Sequence, residues 1–195
     1  MANSAKKLLR IFLIRHARPQ VERTGLFSHK QATKYIQEYD IAEVDAALPF
    51  EDADVLHQVK RVFCSTLHRS RKTARALFGQ QTEYVEDANF REFERRIFKL
   101  PYLKLPINLW LVKARLLWLL GFNSKGIETF KEARKRAKQA AQVLIKEAQQ
   151  EGVAVLVAHG LLNKYLEVYL RRKGWKLIRS GGSAFVGVTL LEKEI

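Results

Sequence analysis

The chain has 195 residues, enough for one domain with a substantial buried core. Its hydrophobic fraction of 47% excludes a disordered chain, and its single cysteine, Cys64, excludes an intramolecular disulfide and any cysteine-rich metal site. A formal net charge of +15 favours anionic partners (phosphorylated substrates, nucleic acid or an acidic membrane surface) without choosing among them.

The first ten residues hold two lysines but no small-residue cleavage pattern, and the apolar run after them is short. They read as no signal peptide, and with one cysteine the expectation is a cytoplasmic protein. Leu8–Ile14 predicts a buried strand that ends abruptly in Arg15-His16-Ala17-Arg18. Basic and titratable side chains at the end of a buried strand are costly to desolvate unless something outside compensates. The loop that follows holds Pro19, Arg23, Thr24 and Gly25. Ser28 and Gln31 then stand as a capping box for a helix to about Tyr39. Asp40–Asp54 is mixed, with Pro49 as a breaker, and Asp54–Lys60 suggests a short helix in which His57 has no role.

Arg61–Cys64 predicts a second short buried strand, with Ser65 as N-cap of a helix running to Phe78 and closed by Gly79. Arg69 falls in the first turn of that helix, where a cation opposes the helix dipole. A bound anion shared by Arg69 and the free N–H groups reconciles the two. Thr82–Val85 is a weaker strand, followed by the irregular Asn89–Glu94 with its two carboxylates. Pro101 and Pro106 mark a connection over 99–106.

Ile107–Leu120 is apolar nearly all round, which predicts a buried or capping helix; a lid, a dimer contact and an interfacial membrane contact are the alternatives. Lys113 and Arg115 argue against a membrane span over 105–122, since each costs roughly 2.5–3.5 kcal/mol at a bilayer centre. Gly121–Gly126 is a turn, and Ile127–Gln150 a long amphipathic helix with a basic face. Val153–Ala158 is an uninterrupted apolar strand, as expected when both sheet faces are covered, and it ends in His159-Gly160. A helix over 161–172, a loop over 174–182 and an edge strand over Phe185–Leu191 complete the chain.

Strands alternating with helices predict an α/β fold with a mostly parallel central sheet, in which ligands bind outside the carboxyl ends of the strands. That topology brings Arg15, His16, Arg69 and His159 to one sheet edge, and Glu92 follows the weaker strand there. Arginines recognise phosphate oxygens in fork geometry, and a neutral imidazole is a competent nucleophile. Neighbouring arginines lower the pKa of His16, and a nearby carboxylic acid can protonate a leaving alkoxide. The set fits phosphoryl transfer through a phosphohistidine, with charge stabilised by arginine rather than by a metal. No acidic cluster suits Mg²⁺ and no Gly-rich phosphate loop is present, so neither a metal nor a cofactor is expected.

These residues resemble the motifs of the histidine phosphatase superfamily, whose fold is phosphoglycerate mutase-like. Arg15-His16-Ala17 resembles its Arg-His-Gly signature, and Ser65–Ala74 its Ser-x-Leu-x-Arg-Ala/Ser-x-x-Thr-Ala segment. Phe90-Arg91-Glu92 resembles the segment that supplies the acid, and Val157–Gly160 the second histidine motif. The resemblance implies a three-layer α/β/α sandwich forming a single domain over 1–195, with a variable helical cover at about 97–126. It implies His16 as phospho-acceptor, Arg15, Arg69 and His159 as phosphate ligands, and Glu92 as general acid and then base, with Glu94 as a weaker candidate. Arg23 and Thr24 are the candidates for contacts to the rest of the substrate. The asparagine that many members place in the first loop is absent, and Gln20, Val21, Glu22 and Arg23 stand there.

The expected function is therefore a metal-independent phosphatase of a small phosphorylated substrate. The alternatives are a phosphohistidine-protein phosphatase or mutase of the same fold, and a basic non-catalytic module binding nucleic acid or an acidic membrane. A cysteine-phosphatase reading fails on spacing, because four residues separate Cys64 from Arg69 where that loop needs five.

Overall fold

In a computed structural model the described residues are 7–45, 59–122 and 124–195. The expected helix at 54–60, His57 and Pro49 lie wholly or largely outside them, as does the N-terminal segment 1–6. The framework is a six-stranded sheet in the order β4-β3-β6-β1-β8-β7. Its strands are β1 (Leu8–Arg15), β3 (Arg61–Ser65), β4 (Glu83–Asp87), β6 (Val153–Ala158), β7 (Lys176–Arg179) and β8 (Val188–Glu194). The pairs β4/β3, β3/β6 and β6/β1 are parallel, and only β8 runs against the rest. The expected mostly parallel α/β sheet is the fold observed.

The alternating side chains of β1 divide the core. Leu9, Ile11 and Leu13 face α4 (Phe130–Glu151) and α5 (Gly160–Arg172), whereas Phe12 and Ile14 face α2 (His68–Phe78). Alanines at 133, 137, 140, 141 and 148 give α4 a flat inner face that lies close against the sheet. Its first turn is fixed by a Thr129–Glu132 capping box, so the helix begins at Phe130 rather than Ile127. Ser28 and Gln31 do the same for α1 (His29–Ile41), as expected from the sequence.

Four expectations are corrected. Ser65 does not cap α2; Leu67 holds that position without a side-chain bond, and Ser65 is the buried last residue of β3. The last strand is not an edge: β8 lies between β1 and β7, and the edge is β7, inside the stretch read as a loop. The four residues Lys176–Arg179 alternate exposed and half-buried between Gly174 and Gly182, too short a pattern to stand out from loop. Phe185 lies outside the strand, in a loop that reaches back over β1.

The helix α3 (Ile107–Leu119), joined to the first loop by the small pair β2 (Leu26–Phe27) and β5 (Leu105–Pro106), is apolar nearly all round in sequence, yet it is covered on one face only. Ile107, Trp110, Ala114 and Trp118 are buried, the first three against Tyr35 and Tyr39 of α1. The indole N–H of Trp110 donates to Phe27 O at 2.7 Å and that of Trp118 to Glu128 O at 2.7 Å. Among the described residues no helix is long and apolar enough to cross a membrane.

One hydroxyl ties three elements beneath the sheet edge. Ser70 Oγ donates to Val157 O of β6 at 2.7 Å and accepts Ser65 N–H of β3 at 3.0 Å. Ser70→Ala strands a buried N–H and a buried C=O, at about 1–3 kcal/mol for such a group. We expect a loss of that size in urea unfolding, and an unchanged midpoint would remove Ser70 from this role.

Candidate active site

Four parallel strands end on one edge, and each delivers a polar group just beyond it. β1 ends in Arg15 and His16, β3 leads into α2 with Arg69, β4 leads through the 3₁₀ turn Ala88–Phe90 to Glu92, and β6 ends at His159, the N-cap of α5. His16 and His159 are buried, with ring centroids 5.2 Å apart. The His16 N–H lies on the Ala158 carbonyl at 2.9 Å, which fixes the two strand ends together. Nδ1 of His16 is 2.7 Å from Ala17 O. A carbonyl only accepts, so Nδ1 bears the proton and Nε2 keeps its lone pair.

Both imidazoles are held well below the ordinary histidine pKa. Burial is the first cause for each, followed by the charge of Arg69, with Arg15 adding to both. The sequence-based expectation named the arginines alone; desolvation precedes them. The Arg15 guanidinium is itself lowered by burial, an effect that Tyr39 and Glu92 partly offset.

Two aromatic faces gather the guanidinium groups. Arg15, Arg18 and Arg23 lie 4.2, 5.5 and 5.9 Å from the Phe185 ring centre. Arg69, Arg23 and Arg95 lie 4.9, 5.5 and 5.9 Å from that of Tyr39. Both rings also flank His16, at 5.7 and 6.3 Å. The electron-rich ring faces attract the cations, most strongly at the buried Arg69 and the half-buried Arg15, while Arg18 and Arg23 are exposed. Arg69 is almost fully buried and donates to Asp40 at 2.8 Å. The nitrogens left buried without a partner include Arg15 Nε, Arg69 Nε and both ring nitrogens of His159. Donors and an imidazole in that state suit an anion with several oxygens.

Phe185 reaches the site because the 181–187 loop turns sharply. Val186 adopts a φ of 59°, and a Cβ on Gly187 would meet Gly181 O at 2.3 Å. That loop clasps the strand end: Val186 N–H donates to Arg15 O, Arg15 N–H to Gly187 O, and the Arg15 guanidinium to Ser183 O. Gly160 leaves room on the other side, since a Cβ there would come within 3.2 Å of Arg15 Nε.

Glu92 sits where the motif places it, with a second task. Its carboxylate accepts the N–H groups of Leu161 and Leu162 at 3.3 and 3.2 Å, and of Phe93 at 2.9 Å, so it closes the N-terminus of α5. Its irregular segment is clamped by two arginines. Arg136 of α4 donates to the carbonyls of Asn89 and Arg91, and Arg115 of α3 to those of Phe93 and Glu94. Burial lowers the Arg115 pKa to about 10. Glu94, the weaker acid candidate, instead joins Glu128 through the Glu128 N–H at 3.0 Å. Glu92 and Arg69 line a cleft of about 190 Å³ with Asp40, Arg95 and Ile127, and Glu92 and Arg15 close one end of a second cavity of about 460 Å³ beside α5.

Of the candidates, Arg15, His16, Arg69, Glu92, His159 and Arg23 are brought together. Thr24 is not; it is exposed, and its hydroxyl donates to Glu22 at 2.6 Å. His68 faces Glu43 at 3.1 Å. Cys64 is a core residue whose thiol burial pushes up to about 12, so it is no nucleophile. Arg18, unexplained in the sequence, joins the Phe185 cluster. Tyr39, Asp40, Phe185, Arg115 and Arg136 were missed, because no local pattern distinguishes them from ordinary helix and loop residues.

The profile of the histidine phosphatase superfamily, branch 1, matches residues 11–193. The chain belongs to that superfamily. Solved structures with the same fold include a mycobacterial hydrolase, at 21% identity and a TM-score of 0.60 over 95% of this chain and 92% of the other. A mycobacterial glucosyl-3-phosphoglycerate phosphatase in complex with VO₃ matches at 20% identity and 0.58, over 93% and 90%. The α-ribazole phosphatase of Shigella flexneri matches at 20% and 0.50, over 84% and 79%. No curated protein matches the chain in sequence. The superfamily motifs acquire physical content here. Thr73 of the second motif donates to Arg69 O and accepts the Ala17 N–H at 2.9 Å, tying the loop after β1 to α2.

The depressed histidines have a measurable consequence. Unfolded, both titrate near about 6.5, so below that pH the unfolded chain takes up protons that the fold refuses. Stability is complete above about pH 6.5 and falls as the pH drops toward the folded-state values, by up to about 1.4 kcal/mol per histidine per pH unit. Urea unfolding across this range should show the slope in the parent and a flatter one in the His16→Asn/His159→Asn double variant. Equal slopes would refute the buried neutral pair.

Proposed function

We propose that the protein is a phosphatase that hydrolyses the phosphomonoester of a small molecule through a covalent phosphohistidine on His16. The observation that carries this reading is the state of His16: proton on Nδ1, lone pair on Nε2, between His159 and the guanidinium groups of Arg15 and Arg69. In the first step the Nε2 lone pair forms a bond to phosphorus and the ester P–O bond breaks. The departing oxygen takes a proton from Glu92. In the second step water attacks phosphorus, its proton passes to Glu92, and the N–P bond breaks to release phosphate. Arg15, Arg69 and His159 bind the phosphoryl oxygens throughout, and the charge on those oxygens is met by arginine, so turnover is expected to survive a chelator. Arg23, held between Tyr39 and Phe185, is placed to meet the remainder of the substrate.

Two of the similar structures bear phosphatase names, for glucosyl-3-phosphoglycerate and α-ribazole phosphatases, which accords with hydrolysis of a small phosphorylated metabolite. The cleft at Glu92 is modest and bounded by the α1 side chains Ile36 and Asp40, which also suits a small substrate.

With p-nitrophenyl phosphate, His16→Ala should lower turnover by roughly 10³-fold or more, and the parent should yield an acid-labile phosphoenzyme that the variant lacks. A variant as fast as the parent would exclude His16 as acceptor. For Glu92 the readout is the leaving group. Glu92→Gln should slow an alkyl phosphate by about 10²–10⁴-fold and the aryl ester far less. Equal losses on both would assign Glu92 to closing α5 alone. Gln retains one acceptor oxygen for the α5 N–H groups, so melting curves of the Gln and Ala variants separate folding from chemistry.

A further inference from the structure

The outward face of α3 is an apolar ridge in a stretch that holds no acid. Leu109, Val112, Leu116, Leu119 and Leu120 are between 39% and 68% exposed, where a soluble surface helix shows charge. At about 100° per residue these five positions fall within an arc of about 100°, opposite the buried Trp110, Ala114 and Trp118. Exposed aromatics stand beyond each end of the helix, Tyr102 before it and Phe122 after it. Between Glu94 and Glu128 the chain contains seven basic residues and no Asp or Glu. Of these, Arg95 and Arg115 are turned to the active site, while Lys113 on the helix and Lys99, Lys104 and Lys125 in the segments that flank it are exposed.

We propose that this face of α3 docks the protein on an anionic lipid bilayer. A convex ridge of aliphatic side chains rimmed by lysines matches the interface of such a membrane, with acyl chains to receive the leucines and acidic headgroups to meet the cations. Charge argues against a second copy as the occupant, since a symmetric contact would set Lys104 and Lys113 against their own equivalents in a chain of net charge +15. It also argues against nucleic acid, which offers no apolar layer for the leucines. The helix lies in the interface rather than across it, being 13 residues long with Lys113 and Arg115 in its middle. Its inner face packs on α1, whose Tyr39 flanks His16, so a docked ridge holds the active site one helix layer from the headgroups. The inference stands on the surface alone and does not depend on the phosphatase reading.

The test is co-sedimentation of the full chain with vesicles of phosphatidylcholine, with and without phosphatidylglycerol. The parent should bind the phosphatidylglycerol vesicles, more weakly as salt is raised, and bind the neutral ones little. Leu109→Gln/Leu116→Gln should weaken binding by about tenfold or more, and Lys104→Gln and Lys113→Gln by roughly fivefold each. Lys131→Gln/Lys135→Gln on α4 serves as the control and should change binding less than the leucine pair or either lysine variant. Melting curves check that each variant folds, and hydrogen exchange of the parent with and without vesicles should show protection confined to about 105–122. Absence of binding to the anionic vesicles, binding by the leucine pair equal to the parent's, or loss mainly in the α4 control would overturn the proposal. So would a parent dimer in sedimentation velocity that the leucine pair dissolves.

Discussion

Two uncharged imidazoles and five guanidinium groups share one sheet edge, and the surrounding structure is arranged to make that crowding tolerable. Desolvation and mutual repulsion would both expel such a set. The counterweights are of three kinds. Tyr39 and Phe185 offer ring faces, Asp40 and Glu92 offer negative charge, and main-chain carbonyls of Ser183 and Ala17 take one N–H each from Arg15 and His16. The imidazoles remain neutral first because they are buried, and then because Arg69 and Arg15 beside them are charged. The same field that favours an incoming phosphate keeps a proton off the atom proposed to attack it.

The framework around that edge is built from small, local solutions. Ser70 and Thr73, one turn apart on α2, each bond a different neighbour: Ser70 reaches β3 and β6, and Thr73 reaches the loop after β1. Arg115 and Arg136 approach the 89–94 segment from two helices and donate to its carbonyls. The irregular residues after the 3₁₀ turn can therefore present Glu92 in a defined place.

How much of this could be read beforehand follows from how local each signal is. The apolar strands and the residues that end them are contiguous in the sequence, so the sheet edge and the set Arg15, His16, Arg69, Glu92 and His159 were legible. Tyr39 and Phe185 were not, because their importance comes from facing each other across His16, a relation between α1 and a loop almost 150 residues later. The edge strand β7 escaped because four half-exposed residues between glycines read as loop. The Thr129–Glu132 box is a local signal, and it starts α4 at Phe130 where the apolar pattern alone includes Ile127. For α3 the composition was legible but the coverage was not, since an apolar sequence cannot say which of its faces finds a neighbour.

Glu92 has a bearing on how descendants of this chain could diverge. Its carboxylate closes the first turn of α5, and the helix begins immediately after His159. A lineage that abandoned phosphoryl chemistry would still be selected against losing that glutamate, because the helix start would fray with it. The residue can thus outlive the reaction. Within such a lineage, retention of Glu92 would testify to architecture, while drift at His16, the proposed phospho-acceptor, would mark the loss of the proposed activity.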